Sequence, residues 1–168
     1  MTTTPEHAAL QVANPRDLIP AAEFAAVAAT VQANNPGMTE ETAGRITTEA
    51  LIFVAACAQF PEGLRPSRVV DEGWHALILH TAPYTRLCRR LGHFVHHRPE
   101  RRDPTRHSDS ELKRTMGRIA DAGFTADAKL WLAPARETIS VAAECSHGPE
   151  SCASCFDGGP NGSPESAG

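Results

Sequence analysis

Five of the eight histidines in this 168-residue chain lie between Val70 and His97. Neutral imidazole binds Zn, Cu, Ni and Fe, and it also transfers protons near neutral pH. The same stretch contains Asp71, whose carboxylate can orient one imidazole by accepting a hydrogen bond from one ring nitrogen, leaving the other nitrogen available to a metal. These residue types indicate a transition-metal site as the first chemistry to consider.

Asp71 and His75 are one turn apart on a helix that Ser67 caps and that is predicted to run to about Leu79. Two interpretations stay open for this pair. In one, Asp71 orients His75 for a metal; in the other, the two side chains are a buried polar pair that satisfies itself. His80 falls about 140° further round the helix, so one straight helix cannot point both histidines at one ion.

Three more histidines, His93, His96 and His97, crowd the end of the next predicted helical segment, which begins near Pro83. His96 or His97 can reach His75 only if the chain turns back after that segment. If it does, we expect Asp71, His75 and His96 or His97 to hold Zn or Cu. The alternative is a polar loop rich in His and Arg.

A second, weaker candidate site lies near the C-terminus. A Cys-x2-Cys pair with a cysteine and a histidine upstream can close a tetrahedral metal site, and the residues concerned are Cys145, His147, Cys152 and Cys155. Two alternatives remain for them: unligated thiols in a disordered tail, or a tail whose Cys and Ser residues are enzymatically modified, with the helical part as carrier.

Trp74, Tyr84 and Cys88 are interpreted as the structural core of the histidine-rich motif. Tyr84 and Cys88 are one turn apart on the apolar face of an amphipathic helix. A buried tyrosine hydroxyl needs a polar partner, and Asp71 or His75 is the expected one.

Charge is distributed unevenly along the chain. The segment from Arg86 to Arg114 has nine basic and four acidic residues, although the whole chain has a net charge of -4. Arg86, Arg89 and Arg90 share the polar face of their helix, so a second hypothesis is an interaction module that recruits an acidic partner without any metal. Specific nucleic-acid binding is disfavoured, because aromatic residues do not alternate with the basic ones.

Several function classes lack their signatures here. The chain has no P-loop, no dinucleotide fingerprint and no hydrolase motif, so whether it is an enzyme stays open. It has no run of 18 apolar residues and no secretory signal, which predicts a cytoplasmic protein with reduced cysteines. Fourteen Arg against two Lys, with abundant Ala, are typical of a GC-rich bacterial genome.

Helical periodicity and capping residues recur along the chain, and no alternation typical of strands was found. The predicted fold class is all-α, a compact bundle of five or six short helices. We expect a flexible N-terminus over 1–14, a helical domain over 15–143 that ends in a helical piece from Ala135 to Ala143, and a disordered Gly/Ser/Pro/Cys-rich tail over 144–168.

The spacing Asp71-x2-Trp74-His75 followed by Tyr84-x3-Cys88 resembles the core motif of the glycine-rich domain-containing protein-like family. The resemblance covers about residues 15–143 and is strongest from Pro66 to His97. It implies a helical domain with a Gly- and Cys-rich C-terminal tail, and it implies no defined activity. Plant members have a second histidine where this chain has Leu77.

Overall fold

A computed structural model describes residues 14–60, 63–97, 109–132 and 139–141. The prediction of an all-α bundle is confirmed, since six α-helices and no strand occur in these ranges. After a 3-10 turn, Pro15–Leu18, the helices are α1 (Ala21–Asn34), α2 (Glu40–Gln59), α3 (Arg68–Leu79), α4 (Thr81–Leu91), α5 (Asp109–Asp121) and α6 (Ala128–Trp131).

Helix α2 is the centre of the bundle and contacts α1, α3, α4 and α5. Fourteen of its twenty residues are buried, and from Leu51 to Ala58 the helix is buried on every side. A helix that is apolar all round must be enclosed by other elements. The other helices therefore pack around α2.

Helix α3 packs against α2 at Gly73. A Cβ atom at this position would lie 2.8 Å from the backbone oxygen of Ile46 and 2.9 Å from its Cγ2. Cβ atoms in proteins essentially never approach other heavy atoms this closely. The absence of a side chain thus permits the short distance between the two helices. The next residue, Trp74, is fully buried, with its ring centroid 5.1 Å from that of Phe53 on α2.

The start of α3 is held from two directions. As predicted, Ser67 caps the helix: its Oγ accepts a hydrogen bond from the Val70 backbone N–H at 3.1 Å. The same hydroxyl donates to the carbonyl oxygen of Leu130 on α6 at 2.6 Å. This double contact fixes the first turn of α3, which carries Asp71.

Helix α4 begins two residues before the predicted start at Pro83. Proline is tolerated there because the first N–H groups of a helix have no partner within it. The helix ends at Leu91, and the next residue, Gly92, has a φ of 83°, the left-handed conformation that favours glycine. The chain then leaves the helix and runs to His97 without helical structure.

Two predictions concern the C-terminal part. The prediction of a helical piece from Ala135 to Ala143 is wrong at residues 139–141, which are described and are not helical. The carbonyl oxygen of Val141 instead accepts a hydrogen bond from the Arg68 side chain at 3.2 Å. The predicted tail over 144–168 lies outside the described residues, as does the predicted flexible N-terminus over 1–14 except for Asn14. None of the described helices combines the length and the apolar character needed to cross a membrane.

Candidate metal centre

Helix α3 presents Asp71 and His75 on one flank. Their side chains approach to 3.5 Å between Asp71 Oδ2 and His75 Nδ1. The Asp71 side chain is only 2% exposed, whereas that of His75 is 28% exposed. The carboxylate thus lies beneath the imidazole, and the imidazole lies between the carboxylate and solvent.

The six residues after α4, Gly92–His97, bring further side chains onto α3, and we call them the return segment. Val95 is fully buried, and its carbonyl oxygen accepts a hydrogen bond from the Tyr84 hydroxyl. That hydroxyl in turn accepts a hydrogen bond from Trp74 Nε1 at 3.1 Å. The prediction that Tyr84 bonds Asp71 or His75 is therefore wrong, because the turn at Gly92 places backbone of the return segment against the phenol.

The Tyr84 hydroxyl is also kept protonated. Burial raises the pKa of Tyr84 well above its ordinary value, and nearby Cys88 acts in the same direction. The phenol therefore remains a hydrogen-bond donor to Val95 near neutral pH. Trp74, Tyr84 and Cys88 are all buried.

His97 completes the cluster. Its Nε2 lies 3.4 Å from Asp71 Oδ1, and its ring centroid is 4.3 Å from that of His75. The same ring lies against Trp74, with 4.7 Å between centroids. One ligand atom each from Asp71, His75 and His97 can be chosen so that all three lie within 4.8 Å of one another.

His96 does not belong to this cluster, although the sequence predicted it as an equal candidate. It is exposed, and its ring lies 4.7 Å from that of Phe94. In extended backbone, successive side chains point to opposite sides. Since Val95 points into the core, His97 points inward with it and His96 points outward.

The remaining histidines of the motif lie elsewhere. His80 Nε2 is 2.8 Å from Thr30 Oγ1 on α1, which is the expected consequence of its different direction on α3. His93 is half-buried and is not part of the cluster. The second predicted site, Cys145, His147, Cys152 and Cys155, lies outside the described residues.

The separations within the cluster suit a shared ion. Ligand atoms about 2.1 Å from a tetrahedral ion are about 3.4 Å from one another. The Asp71–His75 and Asp71–His97 separations, 3.5 and 3.4 Å, are measured to different oxygens of the carboxylate, and each is close to this spacing. With a single carboxylate oxygen as ligand, the three ligand atoms lie within 4.8 Å of one another. They are longer than a usual N–H···O hydrogen bond, which is about 2.9 Å. The donor set, two imidazole nitrogens and one carboxylate oxygen, fits a divalent transition metal.

The three arginines of the predicted basic face are exposed on α4. Arg86 forms an ion pair with Glu23 on α1, and Arg90 Nη1 donates to the carbonyl oxygen of Leu18 at 2.9 Å. Two of the three therefore also attach α4 to the N-terminal part of the bundle. Sequence reasoning missed this role, because helical periodicity does not show what lies across from a polar face.

A second buried carboxylate, that of Glu49 on α2, was also missed. Its Oε2 accepts a hydrogen bond from Trp131 Nε1 at 2.6 Å, and its Oε1 accepts one from the Asp127 backbone N–H at 3.1 Å. Burial raises the pKa of Glu49, while these two hydrogen bonds oppose the rise. These contacts connect α2 to α6. The carbonyl oxygen of Leu130 on α6 in turn accepts a hydrogen bond from Ser67, the residue that caps α3.

Comparison with known proteins gives one match. A family model described as UCP032817-like matches residues 16–123, which include all six residues of the motif and cluster: Asp71, Trp74, His75, Tyr84, Cys88 and His97. No curated protein and no solved structure matches the chain.

Proposed function

The chain belongs to the UCP032817-like family, whose description states no activity, and from the geometry we propose that it binds one divalent transition-metal ion through Asp71, His75 and His97. Zn²⁺ is the first candidate and Cu²⁺ the second, because both accept a mixed set of imidazole and carboxylate ligands. The resemblance to glycine-rich domain-containing proteins stays a prediction.

One observation carries this proposal: the three ligand atoms converge from two separate parts of the chain. Asp71 and His75 would be neighbours on any helix, but His97 lies 22 positions after His75 and joins them only because the return segment folds back. A buried polar pair formed by Asp71 and His75 alone would not require a second imidazole at 3.4 Å from the same carboxylate.

The experiment is metal analysis of protein prepared without a histidine tag, followed by competition titration with a chromophoric chelator. We expect about one Zn²⁺ per chain, and a loss of affinity of at least roughly tenfold in His75→Ala and in His97→Ala. His96→Ala is the matched control, since it removes an adjacent but exposed imidazole. Equal affinity in wild type, His97→Ala and His96→Ala would refute the site.

A second candidate function concerns the exposed arginines. Arg86 in the middle of α4 and Arg89 and Arg90 in its last turn place three guanidinium groups on the surface, which supports attraction of an acidic protein partner. Capture of an acidic partner should weaken in Arg89→Glu and at high salt, because exposed charges are screened. Capture that does not depend on salt would argue against this surface.

The predictions about the C-terminal cysteines and about location remain proposals. The thiols of Cys145, Cys152 and Cys155, with His147, are proposed as a second and looser metal site or as targets of modification. A cytoplasmic location would keep these thiols reduced.

A further inference from the structure

The position of His97 needs an explanation, because no helix holds it. Asp71 and His75 are fixed by α3, whose first turn is capped by Ser67. His97 instead lies at the end of the return segment, five residues after the left-handed Gly92. A metal ligand on a short non-helical segment requires contacts that fix the backbone next to it.

Those contacts are a chain of two buried hydrogen bonds. Trp74 Nε1 donates to the Tyr84 hydroxyl at 3.1 Å, and the same hydroxyl donates to the carbonyl oxygen of Val95. Trp74 and Val95 are fully buried and Tyr84 is 3% exposed. The two bonds attach the return segment to α3 and α4 only two residues before His97.

Besides its hydrogen bond to Tyr84, Trp74 contacts His97 directly. Its ring lies against that of His97, with 4.7 Å between centroids, and it is itself packed on Phe53 of the central helix. The indole thus limits rotation of the imidazole, while the phenol fixes the backbone that carries it. The two effects leave Nε2 of His97 directed at the Asp71 carboxylate, at 3.4 Å.

Only a hydroxyl can satisfy both bonds at once. It accepts from the indole N–H and donates to the carbonyl oxygen, which a phenylalanine ring cannot do. Phenylalanine in place of Tyr84 would keep the packed ring and remove only the hydroxyl, and the return segment would lose its attachment to Trp74. The hydroxyl is therefore separable from the hydrophobic contribution of Tyr84.

We infer that Tyr84 is a positioning residue of the metal centre, which acts through His97 by holding Val95. This inference rests on the proposed metal site and adds a residue that is not itself a ligand. Mutation of residues that orient metal ligands typically lowers metal affinity by roughly 10- to 100-fold. Tyr84→Phe should therefore weaken Zn²⁺ binding to about this extent.

The test is a double-mutant cycle on Zn²⁺ affinity with the variants Tyr84→Phe, His97→Ala and the two combined. If Tyr84 acts through His97, Tyr84→Phe lowers affinity in the wild type but has no further effect once His97 is absent. Additive losses would overturn the inference, as would a Tyr84→Phe affinity equal to that of the wild type. Wild-type protein that binds no Zn²⁺ would instead refute the proposed function itself.

A spectroscopic measurement separates positioning from general loss of stability. Co²⁺ substituted for Zn²⁺ should give the visible spectrum of a low-symmetry site in the wild type, and Tyr84→Phe should shift it towards that of His97→Ala. Ile119→Val, which removes one methyl from a fully buried residue of α5, is the stability-matched control and should keep the wild-type spectrum. The same change in both variants would assign Tyr84 a merely structural role.

Circular dichroism must show that each variant is folded at the temperature of measurement. If Tyr84→Phe is not folded there, the titrations of all variants are repeated at a lower temperature with sucrose, which favours the folded state. A loss of Zn²⁺ affinity in folded Tyr84→Phe supports the inference. Unchanged affinity in that variant contradicts it.

Discussion

At the scale of single residues, Asp71 is the group on which the candidate centre depends. Both imidazoles lie within 3.5 Å of its carboxylate, and each approaches a different oxygen. The carboxylate is 2% exposed, so its charge lies largely out of contact with water. A divalent cation between the carboxylate and the two rings would be balanced by this charge.

This view of Asp71 predicts the effect of a nearly isosteric change. Asp71→Asn should lower Zn²⁺ affinity by at least roughly tenfold, because the neutral amide oxygen is a poorer ligand than a carboxylate. Competition titration against a chelator measures the change. Asp121→Asn, at an exposed position that forms an ion pair with Arg118, is the control and should bind as the wild type does. Unchanged affinity in Asp71→Asn would remove Asp71 from the site.

Sequence reasoning at this scale identified the residue types but not the final choice between His96 and His97. The choice depends on whether the segment after α4 is helical or extended, since two adjacent residues point in opposite directions only in extended backbone. The sequence offers no decisive signal, because Phe94 and Val95 are both apolar and their alternate neighbours are His96 and His97 respectively. The structure decides between them by burying Val95 and leaving Phe94 exposed.

At the scale of secondary-structure elements, the position of α3 relative to α2 decides where the centre lies. The contact at Gly73 brings the two helices together with no space for a methyl group. Trp74, one residue later, then reaches Phe53 on α2. The flank with Asp71 and His75 is thereby turned away from α2, towards the return segment.

Gly73→Ala should destabilise the protein by about 1–3 kcal/mol, because overpacking a tight contact shifts backbone. The clash is with a backbone oxygen, which a rotamer change cannot relieve. Urea denaturation measures the loss. Gly117→Ala on α5 is the control, because a Cβ atom there would meet nothing within 4 Å. Since alanine favours the helix more than glycine does, this change should be neutral or should stabilise the protein by up to about 1 kcal/mol. A loss at Gly117 equal to that at Gly73 would contradict the packing argument.

The contact between α2 and α6 should depend on pH through Glu49. Burial raises the pKa of Glu49 above its ordinary 4.5, so the folded state binds this proton more tightly than the unfolded state. The contribution of Glu49 to stability is then fully present below pH 4.5 and declines as the pH rises through the pKa in the folded state.

Urea denaturation of wild type and Glu49→Gln between about pH 4 and pH 8, with EDTA present, checks this sign. The stability of the wild type relative to the variant should fall as pH rises. Asp127 and Arg45 influence the same carboxyl group in opposite directions, and both remain in the variant. A stability difference that does not change with pH would contradict the raised pKa.

At the scale of the whole molecule, an ion at the centre would add a further link between α3 and the return segment, which already meet at Trp74 and His97. A ligand that binds the folded state stabilises it by about 2.7 kcal/mol when present at 100 times its dissociation constant. Zn²⁺ binding should therefore stabilise the entire fold.

We expect Zn²⁺ to raise the melting temperature by several degrees, as is usual for about 2–3 kcal/mol in a domain of this size. EDTA should reverse the rise, and differential scanning calorimetry measures it. His97→Ala should show no rise, whereas His96→Ala should behave as the wild type. A Zn²⁺-dependent rise that persists in His97→Ala would place the ion elsewhere.

The amino-acid sequence by itself determined the helical class, the cap at Ser67 and the shared flank of Asp71 and His75. These features depend on local chemistry: capping hydrogen bonds, apolar periodicity and the 3.6-residue turn. The Ser67 side chain accepts the capping hydrogen bond that the sequence predicted.

Only the tertiary structure decided which second histidine meets His75, what the Tyr84 hydroxyl bonds and how much of the basic face is used within the bundle. Each of these depends on distances between residues far apart in the chain. The turn at Gly92 sets the first two by directing the return segment onto α3, and the contacts of Arg86 with Glu23 and of Arg90 with Leu18 set the third. Local periodicity contains no information about such distances, because it describes one helix at a time.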